Sequence, residues 1–310
     1  MAQNQTMKAT MLTKVRAYLA RRRALGFQLK CEGLQLQNFA RYADRLGHRG
    51  PLTNQLAIGW ACLPKGADRL YWARRLEIVR TFARHLAITE PQTQVPPRHL
   101  FGPAHRRPSP HLYSSAEVRQ LLRRAGRLEG RLRPHTWQTL IGLLACTGLR
   151  ISEATHLRPS DVIWTDALLI IRESKYGKTR LVPLHPTALA PLRAYDRRRQ
   201  KQFPLAQYFF VSEQGNRLAP STVDGTFSRL RKGIPSHRRP PRLHDFRHTM
   251  ASQVLQRWLA SRQGAVNRVL ILSRYLGHGH VEDTYWYLTA LPQLLADAGN
   301  RIAVSDHEDS

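Results

Sequence analysis

Leu168-Leu169-Ile170-Ile171 and Arg180-Leu181-Val182-Pro183-Leu184 are two runs in which apolar residues stop recurring at helical spacing. Their aliphatic and β-branched residues read as strands. Between them lies the polar, glycine-containing Ser174-Lys175-Tyr176-Gly177-Lys178, so the pair reads as a hairpin with Lys175 and Lys178 at its tip. Outward from it the chain reads almost entirely as helix. The fold class is therefore mainly α with a small β-hairpin or sheet, α+β in the half that holds the hairpin.

Upstream, apolar spacing and stop signals predict helices over 7–25, 33–46, 53–62 and 67–88. Their polar faces are dominated by arginine, at 21–23, 41, 45, 69, 74, 75, 80 and 84. One-sign charge favours a phosphate-facing surface, although a charged helix face is often only a solvated one. The stretch 91–110 carries six prolines together with Arg98, Arg106 and Arg107. Proline at this density stops helices and stiffens the chain. It reads either as a basic linker between halves on two sides of a duplex or as an ordinary interdomain loop. The division expected is 1–95 helical, 96–111 linker and 112–310 a second domain.

Beyond the linker, Ser114-Ser115-Ala116-Glu117 is an N-cap signal opening a helix to about 127. Helices are further expected over 134–146, 151–157, 187–202, 220–232, 243–260 and 265–276, with a short strand at 208–211. The acidic end, 306–310, reads as a frayed terminus.

Lys plus Arg total 49 and Asp plus Glu 21, a formal net charge of +28 in 310 residues. Such an imbalance points to a polyanion, DNA or RNA, as partner. The alternative is a ribosomal or general basic protein, against which the charge is interleaved with apolar periodicity and not gathered in tails. Arginine bias suits bidentate phosphate recognition. Cys31, Cys62 and Cys146 form no C-x-x-C pair and read as buried free thiols of a reducing compartment. With no apolar leader after Met1 and no run near the ~20 residues a bilayer needs, a soluble, cytoplasmic protein without membrane contact is expected.

Four segments carry chemistry. Thr147-Gly148-Leu149-Arg150-Ile151-Ser152-Glu153 places Arg150 at a turn into a helix, where an anion can be met. Glu153, one turn on, can hold that guanidinium or complement the helix dipole. His244 and Arg247 lie i, i+3 on one helical face, and an arginine beside a histidine suits phosphate better than metal. Hairpin lysines can deliver a proton to a leaving oxygen, or merely aid solubility. His278 follows Leu276-Gly277, which reads as a helix C-cap. No carboxylate or cysteine cluster with metal-site spacing accompanies His278 and His280, so no metal and no cofactor is expected. Tyr287 stands nine positions after His278. Two arginines, two histidines and a tyrosine in this order are the parts needed to break a phosphodiester bond without a metal: a phenolate attacks phosphorus and guanidinium forks hold the charged oxygens.

Thr147–Glu153, a hairpin lysine, His-Asp-Phe-Arg-His-Thr at 244–249, Leu-Gly-His at 276–278 and the tyrosine nine further on together resemble the tyrosine recombinases, or phage integrases, over about 112–290. The variant looks like those carried by transposable elements. The resemblance implies a two-domain C-shaped clamp on duplex DNA, with a helical, SAM-like core-binding domain over 1–95 and a catalytic domain over 112–310. It implies Arg150 and Arg247 as the catalytic arginines, His244 as the first active-site histidine, and His278 as the residue bonding a non-bridging oxygen. Tyr287 would be the nucleophile, Lys175 the general acid with Lys178 as fallback, and Glu153 the support of Arg150. The activity implied is strand cleavage and rejoining through a 3′-phosphotyrosine, for integration or transposition of a mobile element. The protein would act on the bacterial nucleoid as a tetramer on DNA, alone or with sister recombinases. A type IB topoisomerase-like enzyme and a non-cleaving accessory protein are the alternatives. Two departures stand out. The segment between Arg247 and His278 looks longer than usual, with 258–263 as an insertion. Tyr285 competes with Tyr287 because Val281-Glu282-Asp283-Thr284 replaces a commoner Ser-Thr-Thr pattern.

Overall fold

The computed structural model describes residues 9–104, 109–172, 179–235, 239–260, 265–277, 280–281 and 283–284. Chain contacts divide it into two compact units, Met1–Pro108 and Ser109–Ser310. Among the described residues the structure is mostly helical, with one three-stranded sheet. No helix among them is long and apolar enough to cross a membrane.

The first unit holds α1 (Met11–Ala24), α2 (Lys30–Arg45), α3 (Asn54–Ala61) and α4 (Arg69–Leu86). Thr10, Thr53 and Asp68 cap three of these by accepting from backbone N–H groups of the first turn, as N-cap side chains do. Val15, Phe39, Trp60, Val79 and Phe82 meet in its core. Two of the arginines read as surface are not there. Arg75 and Arg80 are buried. Arg75 lies 3.7 Å over the Trp60 ring and donates to Trp60 O at 2.7 Å. Arg80 donates to Pro96 O at 2.9 Å. Arg74 likewise donates to Ala104 O at 3.2 Å, so 96–104 is tied back onto α4.

The second unit runs through α5 (Ser115–Ala125), α6 (Arg133–Thr147), α7 (Ile151–His156), a 3-10 turn (Pro159–Asp161), β1 (Val162–Ile163), β2 (Leu168–Ile171), β3 (Arg180–Pro183), α8 (Pro186–Gln202), α9 (Pro220–Leu230), α10 (His244–Ala260) and α11 (Ala265–Leu276). Ser114 and Glu117 form the expected reciprocal cap at α5. The sheet is antiparallel in the order β1-β2-β3, with Leu169 opposite Val182. These two side chains and Ile171 are buried against Trp137, Leu140 and Phe209 in one core. Burying each aliphatic side chain is worth about 1.5–3 kcal/mol. A smaller cluster, including Met250, Leu255, Leu272 and Leu276, joins α10 to α11.

Three expectations need correction. The short strand at 208–211 is absent: Val211 alone bridges to Arg217. Phe209 and Phe210 are both fully buried, so the run is core filling with no alternating faces. The sheet gains a third strand, β1, too short to show a period. None of the cysteines is buried: Cys31 and Cys146 are exposed and Cys62 half-buried, because the apolar faces of their helices turn other residues inward. Of the expected insertion at 258–263, α10 runs as helix to Ala260; 261–264 lie outside the described residues.

Candidate active site

The α6 helix ends at Gly148, whose φ of +62° lies in the left-handed region that glycine adopts without strain. A Cβ there would meet Met250 Cε at 2.5 Å. The turn delivers Arg150 to the N-cap position of α7. Glu153 accepts from Arg150 N at 2.9 Å and from Arg150 Nη1 at 2.8 Å, so one carboxylate fixes both backbone and side chain of Arg150. The support inferred from spacing is therefore a double one.

Arg180, the first residue of β3, was not singled out by the sequence. It donates to both Glu153 oxygens, at 3.0 and 2.8 Å, in the bidentate geometry that makes arginine–carboxylate pairs strong. Burial pushes the Glu153 carboxyl upward, but Arg180 and then Arg150 more than reverse this and hold it below the usual range.

The α10 helix starts at His244. Asp245 accepts from Arg242 N and from Arg242 Nη2, and Tyr113 stacks on Phe246 at 4.2 Å while donating to Arg242 O at 3.0 Å. These contacts set where α10 begins and so where His244 and Arg247 stand. Arg247 is 1% exposed. It donates to Gly148 O at 3.0 Å and to Leu276 O. His244 keeps an exposed face, which screens its surroundings in part. Crowding by protein, then Arg247 and Arg242, lowers its pKa to about 4. His248, one turn on and with its ring centre 4.8 Å from that of His244, is lowered to about 3, first by burial and then by His244 and the arginines. Both rings are neutral near pH 7.

These segments converge on the last turn of α11. Its final carbonyls lack helical partners, and three consecutive ones take three arginines. Tyr275 O accepts from Arg180 Nε at 2.9 Å, Leu276 O from Arg247, and Gly277 O from Arg150 Nη2 at 3.2 Å. The negative end of the helix dipole favours such cations. Gly277, at φ +66°, packs so closely that a Cβ would come within 2.9 Å of Arg180 Nη1. Four of the sequence-predicted residues, Arg150, Glu153, His244 and Arg247, are thus gathered at one place. Lys175, Lys178, His278, Tyr285 and Tyr287 lie outside the described residues. Among the described residues no group of three His, Cys, Asp or Glu side chains is arranged to hold a metal.

A mainly helical unit with a small antiparallel sheet thus brings arginines from separate segments to the end of one helix. The phage integrase family profile matches residues 112–293, and the chain belongs to that family, the tyrosine-type site-specific recombinases. It is 40% identical over 309 residues to a putative integrase/recombinase, y4rB, of Sinorhizobium fredii, covering 95% of this chain and 97% of the relative. It is 30% identical over 236 residues to the tyrosine recombinase XerD of Rhizobium meliloti, covering 73% and 71%. Among solved structures, the Tn1549 transposon integrase in complex with transposon right end DNA superposes with a TM-score of 0.67 at 15% identity, covering 95% of this chain and all of that one. A lambda integrase tetramer bound to a Holliday junction gives 0.60 at 17% identity, covering 91% and 78%. At these identities the two structures speak for the fold alone.

Proposed function

We propose that this protein is a site-specific DNA recombinase of a mobile element that cuts and rejoins strands through a covalent 3′-phosphotyrosine. The observation that carries the reading is the placing of Arg247 and Arg150, from different segments, on the successive carbonyls of Leu276 and Gly277. Two guanidinium forks so held stand ready for the non-bridging oxygens of one phosphate. The Tyr287 oxygen attacks phosphorus, and the bond from phosphorus to the 5′-oxygen breaks. Lys175 protonates the leaving oxygen, with Lys178 as its substitute. His244 assists transfer of the phenol proton, and His278 bonds a non-bridging oxygen. A 5′-hydroxyl from a partner duplex then reverses the step. Bond energy is kept in the covalent intermediate, so no nucleotide cofactor is consumed.

Exposed arginines at 21, 23, 41, 45, 69, 74 and 84 support a DNA-binding role for the helical unit over 1–95, with 96–111 as linker to the catalytic domain over 112–310. The reading extends to integration or transposition of a mobile element by a tetramer in the bacterial cytoplasm, and the 40% identical putative integrase/recombinase supports the integrase part of it. The test is a nicked suicide duplex carrying a site selected from randomised DNA. Wild type and Tyr285→Phe are expected to become covalently joined to it, and Tyr287→Phe is not. Joining that survives Tyr287→Phe refutes the assignment. Strand exchange between two labelled duplexes separates recombination from rejoining of the same strand.

A further inference from the structure

Glu153 presents a difficulty for the site just described. It fixes the rotamer of Arg150, but a carboxylate 2.8 Å from that guanidinium also cancels much of the field an incoming phosphate would feel. The structure answers it with a second cation. We propose that Arg180 is a positioning residue that neutralises Glu153, so that Glu153 orients Arg150 without removing its charge; the role rests on the recombinase reading above. Two guanidinium groups and one carboxylate leave one net positive charge at this cluster. Without Arg180 the cluster is neutral.

The geometry is specific to that task. Arg180 and Glu153 side chains are 11% and 5% exposed, so solvent screens neither. All four bonds described to the carboxylate come from these two arginines: Arg150 N and Nη1, and Arg180 Nη1 and Nη2. That fills the acceptor capacity of a carboxylate. The remaining face of Arg180 is fixed independently, because Nε donates to Tyr275 O and the guanidinium packs on Gly277. The fork is thereby aimed at Glu153 and not at solvent. Arg150, in contrast, keeps 23% of its side chain exposed. Of the two arginines on Glu153, the buried one is the counter-ion and the open one meets the ligand.

A purely structural tie between β3, α7 and α11 is the competing account, and a charge-balanced double variant separates the two. Covalent-complex formation on the suicide duplex is followed for wild type, R180K, R180Q, E153Q and R180Q/E153Q, with thermal unfolding of each. R180Q is expected to react about tenfold or more slowly than wild type, as for loss of part of a preorganised charge. R180K keeps the charge and recovers part of the rate. R180Q/E153Q restores one net positive charge, and reacts within about threefold of E153Q even though its melting temperature remains lowered. Recovery of rate without recovery of stability is the signature of charge compensation. A double variant as slow as R180Q, or an R180Q as fast as wild type, overturns the role of Arg180 while leaving the recombinase reading intact. A wild-type chain that forms no covalent complex overturns both.

Discussion

Arg247→Lys separates the guanidinium fork from its charge. We predict that it costs both stability and rate, each by a calculable amount. Arg247 is 1% exposed and bridges two segments, donating to Gly148 O beside the start of α7 and to Leu276 O at the end of α11. Lysine carries the same charge into the same place, but its three N–H groups diverge from one nitrogen and do not reproduce the two separated nitrogens with which Arg247 reaches Gly148 O and Leu276 O. One charge-assisted hydrogen bond is lost, worth about 1.5–3 kcal/mol. For a unit of this size each kcal/mol moves the melting temperature by roughly 2–4 °C, so a fall of about 3–12 °C is expected. At the phosphate, loss of one fixed donor slows the chemical step by about 10²–10³-fold. Thermal unfolding by circular dichroism and single-turnover joining to the suicide duplex read the two effects separately. An unchanged melting temperature refutes the bridging of the two carbonyls. An unchanged rate refutes the placing of Arg247 beside the phosphate.

Gly277→Ala forces a side chain into a left-handed backbone at about 1–2 kcal/mol, and its Cβ would lie 2.9 Å from Arg180 Nη1. We expect lowered stability and slower joining, and wild-type values for both would contradict the packing of Arg180. His248 is lowered to about 3 by burial, then by His244, Arg242, Arg247 and Arg239, against about 6.5 in the unfolded chain. The unfolded state then binds the proton first. The stability this neutral histidine confers is complete above about pH 6.5 and declines as pH falls toward 3, by up to about 1.4 kcal/mol per unit. His248→Gln should flatten urea unfolding free energy between about pH 6.5 and 4.5, and equal slopes for the two proteins would refute it. Arg41→Gln, at an exposed position, should reduce the slope of log affinity for DNA against log salt by about 0.9. Arg75→Gln should leave that slope unchanged while destabilising the first unit by about 1.5–3 kcal/mol. A salt slope that responds to Arg75 instead would show that this side chain faces the phosphates.

The helices were legible because the signals that define them are local: Thr53, Ser114 and Gly148 each sit where the cap or the left-handed turn is found. The hairpin strands were legible from the change of period at 168–171 and 180–184. β1 has two residues, too few for any period, and Phe209-Phe210 looked like a strand because core filling and strand burial share the same residues. Arg150, Glu153, His244 and Arg247 were legible through their order along the chain. Arg180 was not, although it contacts Glu153 as fully as Arg150 does. Its signal, a lone cation opening a strand, is the same one that any solvated strand end gives. Only the meeting of β3, α7 and α11 in space distinguishes them. Cys146 misled for the related reason that an apolar helix shows its period but not which of two adjacent faces is covered.

Arg75 and Arg80 also change what the net charge means. A formal +28 invites the view that the basic residues form one phosphate-binding surface. Many of the guanidinium groups described serve the fold instead, and in a recurring way: they end helices. Trp60 O near the end of α3 takes Arg75, and Leu230 O at the end of α9 takes Arg124 at 2.8 Å. The last turn of α11 takes Arg180, Arg247 and Arg150. Each places a cation on a carbonyl at the negative pole of a helix. Lysine could supply the charge but not the fork that spans two acceptors. The preference for arginine is thus explained twice over, by phosphate and by backbone. At α11 the two uses meet, since two of the three guanidinium groups that finish the helix, those of Arg150 and Arg247, are the ones proposed to hold the phosphate. A substitution there cannot touch catalysis without touching the fold, which is why paired measurements of rate and stability, and charge-balanced double variants, are needed to tell them apart.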